Sequence, residues 1–579
     1  MNTKVVLFWI TFLGLMIRMS GASILQRGFD GDEAAFGYYG YSLSHNLSDE
    51  YGNKLPLYFP SIGDYKYPVY AYFTAIPVSI LGLNEFSTRF VSIVSGAFLP
   101  IVIYFLAFAI TKKKNIGIAS ALLAAISPYG IMFSSKAFES NLATTLVSLG
   151  ILFVINYSKN KRPKVLIAAS VMFFLAMLTY SSTRVFLMTF LPIMYVFVFR
   201  KVVKTKKVIS LFIISIIVLG VFLSIDIRSR VRANDIMVFG KNQRAAEFTR
   251  NELLLEDSWV LTGNKLLLAE VIHSDFVIKS FDVLQNYFEH LSFEYMFLDG
   301  NPNMPKYSIP RVGQYYFFEV LTMFMGIVYL STSKQNYKNI IYFWILVSLL
   351  PSSLTIETPN PVRALISLPA FIILSGCGLY HLYEIAKGKN WVRRRLVFLT
   401  MFLVIFSHFA YFWHQFSIHD VYHRPWYEDG GMKEMVSSVR QMSSYENVVI
   451  GGDPYIFFLF YNKVHPEEFV RKSVIVKENP GVWERVERYE NIIFKMDVAC
   501  PKIGKAHVLY VCRGNEIPQN AILHQVITFN DSVPAFLLLE FVPFSERITQ
   551  DLPSTLHYMV QTDLSFNEAL LPSESVRYW

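Results

Sequence analysis

Long apolar runs govern what this chain can become. About eleven stretches are rich in Leu, Ile, Val and Phe and nearly free of charge: 4–20, 86–110, 115–133, 141–157, 165–180, 183–199, 208–225, 314–331, 339–354, 362–383 and 396–413. A helix needs about 20 such residues to cross a hydrocarbon core of ~30 Å. The reading is an α-helical polytopic membrane protein with about eleven transmembrane helices. Charged residues make up only 17% of the chain, against about 25% in soluble domains. The run Val5 to Met19 has no small-residue cleavage site after it, and Arg18 interrupts its end, so it reads as a retained first span rather than a signal peptide.

The connections between the runs orient them. Lys112–Lys114, 159–164, 200–207, 334–338 and 387–395 are short and basic, and they fall at every second connection. The positive-inside bias then places them, with the N-terminus, on the cytoplasmic side. The same pattern accounts for the net charge of +9 without nucleic-acid binding. Val69 to Leu83 is apolar but short; a crossing there would reverse the alternation, so it is expected at the outer interface or as a re-entrant helix. Gly21 to Asn84, Asp226 to Gly313, Thr355 to Arg363 and the tail from His414 then face outward.

The tail alternates strand-like runs (Asn447 to Ile450, His507 to Val511, Ala535 to Phe541) with polar turns. It reads as a small extracytoplasmic α/β domain, 414–579, following a membrane domain, 1–413. Cys500 and Cys512 lie in it. Outside the cytoplasm they can pair as a disulfide; the plain alternative is two free thiols in a small core.

Candidate chemistry is densest in the first outer piece: Phe29-Asp30-Gly31-Asp32-Glu33, then Asp49-Glu50-Tyr51-Gly52, then Gly63-Asp64-Tyr65-Lys66-Tyr67-Pro68. Carboxylates beside a hydrocarbon region are suited to proton transfer, and a nearby lysine can hold a phosphate. The plain alternative is a solvated acidic loop. Glu139, Arg184 and Arg363 sit at outer ends of spans, where ionisable groups need partners. They point to a shared polar cavity, or else to arginines that anchor helices at headgroups.

These residues resemble a family. Asp32-Glu33-Ala34 after the first span looks like the acidic signature of the GT-C superfamily, in particular its protein O-mannosyltransferase and aminoarabinose-transferase group. Asp49 to Arg89, Pro359 to Pro369, His423 to Glu434 and Asp453 to Tyr461 resemble the bacterial branch of that group. The resemblance implies a GT-C fold and an inverting transfer from a polyprenyl-phosphate sugar, with the active site facing away from the cytoplasm. It implies that Asp32 is the catalytic base or the acid that orients the acceptor, supported by Glu33, and that Glu139 stands at a second acidic position. Lys66 would bind the donor phosphate. The Lys-Pro-Pro pattern of the aminoarabinose transferases reads Lys-Tyr-Pro here, and Ala35 replaces an arginine that follows their acidic signature. Arg363 and Arg184 are the candidates to complete the phosphate cradle. Residues 226–313 match only loosely.

On this reading the donor arrives on a lipid, because nucleotide sugars are confined to the cytoplasm. Its tail lies in the bilayer, and the acceptor is a protein, a lipid or a glycan. No cofactor is required; a divalent metal held by Asp32 and Glu139 is an alternative use of the acids. A flippase for lipid-linked glycans would need polar residues at mid-membrane depth. A non-catalytic scaffold would not need Asp32, Glu33, Lys66 and Glu139 together.

Overall fold

The computed structural model describes residues 2–542, apart from 24–27, 62–63, 201–205, 226, 241–244, 388–390, 423–424, 443, 479–482 and 515–516. Gly63, His423, parts of the basic connections 200–207 and 387–395, and the tail beyond 542 lie outside the described residues. The first half runs α1 (Thr3–Ser23), α2 (Gly31–Asn46), the hairpin β1 (Phe59–Ser61) and β2 (Asp64–Lys66), α3 (Pro68–Leu81), α4 (Glu85–Thr111), α5 (Lys114–Ile126), α6 (Pro128–Ser134), α7 (Glu139–Asn160), α8 (Pro163–Met177), α9 (Ser182–Met194) and α10 (Lys206–Ile225). Then follow α11 (Asp275–Glu289), α12 (Glu319–Thr332), α13 (Asn339–Ser348), α14 (Leu368–Lys387) and α15 (Trp391–His414).

Each expected span falls on helix, the one at 115–133 on the bent pair α5 and α6. Among the described residues, seven helices are long and apolar enough to cross a membrane, or eight if the bent pair α5–α6 is one span. Pro163–Met177, Glu319–Thr332 and Asn339–Ser353 are apolar but shorter, as is α3, which covers most of the stretch 69–83. The ends are written in local chemistry. Asn84 caps α4 by accepting from the Ser87 N–H at 2.9 Å, and the Ser87 hydroxyl accepts from the Asn84 N–H at 3.2 Å. Lys112 closes α4 in the left-handed region at φ 60°, with its N–H on the Phe108 carbonyl. Proline opens α6 and α8, where its missing N–H costs nothing.

Between α5 and α6 the axis bends by 52° at Ser127. Pro128 cannot continue the ladder, which frees carbonyls at the end of α5. Arg18 of α1 supplies the missing donors: its guanidinium reaches the Ala125 carbonyl at 2.9 Å and the Ala124 carbonyl at 3.3 Å. The side chain is 1% exposed. Gly96 and Gly130 leave room for it, since a Cβ at either would stand about 3 Å from the guanidinium. Helices also approach closely at glycines elsewhere. A Cβ at Gly378 of α14 would strike the Thr322 carbonyl of α12, and one at Gly326 would strike the Leu374 carbonyl. Small residues at such crossings are how helices pack without a hydrophobic drive between them.

The chain packs as two compact units. The first comprises Met1–Arg27, Phe36–Asp49 and Asn53–His423; the second comprises Gly28–Ala35, Glu50–Gly52 and Arg424–Trp579. The second unit is built on a seven-stranded sheet of β3 (Asn447–Gly451), β4 (Ser473–Glu478), β5 (Trp483–Tyr489), β6 (Ile492–Lys495), β7 (Val508–Cys512), β8 (Ala521–Thr528) and β9 (Pro534–Phe541). Its order is β4-β5-β6-β3-β7-β9-β8, with β3 parallel to β6 and β7 and the other neighbours antiparallel. All three expected strands are present. Leu537, Leu539, Phe541 and Tyr510 form its core on one side. Cys500 and Cys512 are disulfide-bonded, so the free-thiol alternative does not hold.

Gly378→Leu forces a side chain into the Thr322 backbone, and overpacking of this kind costs about 1–3 kcal/mol. The expected result is a lower thermal midpoint for the purified protein in detergent. An unchanged midpoint would mean that α12 and α14 do not approach as closely as described.

Candidate functional site

The six residues singled out from the sequence divide between the two units. Asp32 and Glu33 belong to the second; Lys66, Glu139, Arg184 and Arg363 belong to the first.

The acidic signature is the start of a helix rather than a loop. Asp30 caps α2: its carboxylate accepts from the Glu33 N–H at 2.9 Å, and its carbonyl accepts from the Ala34 N–H at 2.9 Å. The Gly31 N–H, a further orphan donor, goes to the Asp429 carboxylate at 3.1 Å. Asp32 and Glu33 fill the first turn, where the positive end of the helix favours negative charge. Glu33 is buried and Asp32 half-buried. Phe29 packs on Phe460, ring centroids 4.8 Å apart, and the Tyr455 hydroxyl donates to Glu50 at 2.8 Å. Three stretches that carry the family resemblance, 28–35, 50–52 and 453–461, thus make one packed unit. Glu50 is fully buried, and its bond to Tyr455 gives it a structural role.

In the first unit, Lys66 ends β2 and is 7% exposed. Its neighbour Tyr67 lies beneath the Arg184 guanidinium, 4.3 Å from ring centroid to Cζ. The Val69 N–H bonds to the Leu178 carbonyl at 3.3 Å. The hairpin end and the α8–α9 turn are therefore fastened together, and Lys66 and Arg184 are brought into one neighbourhood through Tyr67. Arg184 also donates to the Met177 carbonyl at 3.1 Å and the Leu223 carbonyl at 2.9 Å, which ties the ends of α8 and α10.

Glu139 opens α7 and is half-buried. Three residues earlier Lys136 is 2% exposed, a buried cation that the sequence reading passed over. Its signal was a lysine inside the same outer turn as the acid. Asn141, two residues on from Glu139, donates to the Ser92 carbonyl at 2.8 Å and the Ser95 hydroxyl at 3.0 Å, which fixes α7 on α4.

Arg363 is already paired. Its guanidinium meets the Glu357 carboxylate at 2.9 Å and the Thr355 hydroxyl at 2.8 Å. Glu357 was not weighed from the sequence. The turn that carries Arg363 is held from several sides. Asn301 donates to the Pro359 carbonyl at 2.8 Å, Tyr129 of α6 donates to the Pro361 carbonyl, and Asn286 donates to the Ser353 carbonyl at 3.1 Å. His290 is the buried centre of this clamp. Its Nδ1–H donates to the Asn286 carbonyl at 2.7 Å, which leaves Nε2 to accept from the Ser352 hydroxyl at 2.6 Å. The neutral ring is the form this geometry suits. Burial pushes the imidazole pKa down to about 4, against a smaller upward pull from the Asn286 carbonyl. The connection 226–313, which matched the family only loosely, is thus the part that positions the 352–363 turn. Among the described residues, no group of three His, Cys, Asp or Glu side chains could hold a metal ion.

Fold and site together define a polytopic α-helical membrane protein with a mixed-sheet unit. Residues 65–225 match the family of dolichyl-phosphate-mannose-protein mannosyltransferases, and Lys66, Glu139 and Arg184 lie in that stretch. That stretch is 161 of the 579 residues, and over it the expected likeness to the mannosyltransferase group is found. No curated protein matches the chain at a significant level. Among solved structures, AglB, the oligosaccharyltransferase from Archaeoglobus fulgidus in complex with an inhibitory peptide and a dolichol-phosphate, is similar at 11% identity and TM-score 0.47. The match covers 79% of this chain and 63% of that one, so the chain spans less than two thirds of the archaeal protein's length. An Archaeoglobus fulgidus oligosaccharyltransferase in complex with Zn and sulfate is similar at 11% identity and TM-score 0.48, covering 78% of this chain and 61% of that one. ArnT from Cupriavidus metallidurans, bound to undecaprenyl phosphate, is similar at 13% identity and TM-score 0.47, covering 80% of this chain and 86% of that one.

Because the folded pKa of His290 lies below its unfolded value of about 6.5, the unfolded state binds more protons in between. The stabilisation is complete above about 6.5 and is lost as pH falls through about 4, with an upper bound on the order of 3 kcal/mol. The gap in thermal midpoint between wild type and His290→Gln should therefore narrow from pH 7 to pH 4. A gap that stays constant would remove His290 from the account.

Proposed function

We infer that the chain is an inverting glycosyltransferase that moves a sugar from a polyprenyl-phosphate donor to a protein, lipid or glycan acceptor on the extracytoplasmic side. One observation carries this reading. The buried Lys66 and Arg184, joined through Tyr67, lie within the stretch that matches the mannosyltransferase family. Two cations at a helix-end turn suit a phosphate, and the surrounding residues hold them in place.

The roles follow from the chemistry. The acceptor hydroxyl loses its proton to the Asp32 carboxylate as its oxygen attacks the anomeric carbon from the face opposite the phosphate. The bond from that carbon to the phosphate oxygen breaks, and its electron pair leaves with the lipid phosphate. Lys66 and Arg184 stabilise the charge that builds there; a single fixed donor can be worth about 3–4 kcal/mol. Base catalysis adds roughly 10²–10⁴-fold. Glu33 supports Asp32, and Glu139 is a second acid at the donor. Arg363, paired with Glu357, would join the phosphate by exchanging that partner. The alternating basic connections support an outward-facing site. A divalent ion on Asp32 or Glu139 would show as activity lost to EDTA and restored by Mn²⁺ or Mg²⁺.

A translocator for lipid-linked glycans would need charge lining a path at mid-membrane depth. Buried Arg18 and Arg89 are instead bonded to backbone carbonyls, Arg89 to that of Ala22 at 3.3 Å.

The test uses the full chain in lipid with radiolabelled polyprenyl-phosphate sugars and membrane-envelope acceptors. Asp32→Asn should lower transfer by at least 10²-fold with folding intact, and Lys66→Ala should chiefly raise KM for the donor. Normal turnover in both variants would overturn the assignment.

A further inference from the structure

Past its basic first turn α15 is apolar, yet almost none of it is buried. Phe398, Phe402, Phe406 and Phe409 recur at helical spacing on one of its faces. They line a cavity of about 550 Å³ whose opposite wall comes from α1, α5 and α14, with Leu13, Leu122 and Leu379 among its residues. A second cavity of about 250 Å³ shares Tyr383, Phe398 and Met401 with the first and adds Arg394 and Arg395. The Arg395 guanidinium stacks 3.9 Å from the Trp391 ring centroid. The whole is a trough with an apolar body and a pair of cations at one end.

We propose that this trough holds an anionic glycerophospholipid, with acyl chains along α15 and the headgroup phosphate at Arg394 and Arg395. The 550 Å³ of almost wholly apolar space suits an extended acyl chain. The charge at the end selects a negative headgroup, as basic pockets between helices do on the basic side of membrane proteins. Asn115, beside the Lys112–Lys114 run, lines the same trough.

The headgroup end of the trough lies far from Arg363, one candidate for the donor phosphate. Arg363 precedes the start of α14, and Arg394 and Arg395 follow its end. Twenty helical residues separate the two places, a rise of about 30 Å. A phosphate at Arg394 is therefore a membrane thickness away from Arg363. The proposal does not depend on the transfer reaction.

The experiment compares delipidated full-length protein with dioleoyl phosphatidylglycerol or dioleoyl phosphatidylcholine. Bound lipid is read by native mass spectrometry and stability by thermal midpoint. Phosphatidylglycerol should bind at least tenfold more tightly than phosphatidylcholine and raise the midpoint by several degrees. The Arg394→Gln, Arg395→Gln double variant should fold but lose that preference. Ala119→Trp, which fills the trough, should lose both lipids. Three results would each overturn the proposal: equal binding of the two lipids by wild type, a preference that survives in the double variant, or displacement of phosphatidylglycerol by undecaprenyl phosphate at equal concentration.

Discussion

Backbone polar groups that lose their helical partners inside a hydrocarbon layer must find others, and much of the first unit depends on how this is done. Lipid offers no hydrogen bonds, and each unpaired group costs several kcal/mol. Arg18 serves the carbonyls released where α5 breaks, Arg89 serves the end of α1, and Arg184 serves the ends of α8 and α10. A guanidinium suits the task because it offers five donors in a rigid fork. The same buried arginines let helices end, bend and restart within the first unit.

Arg184 shows how scaffold and site share groups. It fastens two helices and also stacks on Tyr67 beside Lys66. Its position is set by carbonyls that cannot move far, so its charge is held without a bound ligand. Such preorganisation is what makes a fixed cation effective toward developing charge. Arg363, in turn, is ion-paired with Glu357.

Much of the fold was legible because it rests on one-dimensional signals. Apolar length placed the helices, and period-two runs placed β3, β7 and β9. The Asn84 and Pro163 boundaries are local chemistry. The site was legible only as a set of residue types at helix ends. The role of Arg184 as a clamp, the burial of Lys136 and the pairing of Arg363 with Glu357 depend on which distant element supplies the partner. Nothing in the neighbouring sequence specifies that partner. Glu50 makes the point most plainly: it reads as part of an acidic loop, yet it is fully buried and bonded to Tyr455, some four hundred residues away. The first turn of α2 likewise looked like a loop because its cap, Asp30, sits among other acids.

That the second unit is assembled from three separate segments has a consequence for how the protein is made. Gly28–Ala35 and Glu50–Gly52 emerge early in synthesis, whereas the strands that complete their unit come only after residue 424. At about 5–20 residues per second, the interval is on the order of half a minute. Through that interval the segment bearing Asp32 and Glu33 lacks the Asp429 and Phe460 contacts that later hold it. The acidic motif can therefore gain these contacts only once residues 429 and 460 have been made, long after Asp32 and Glu33 themselves.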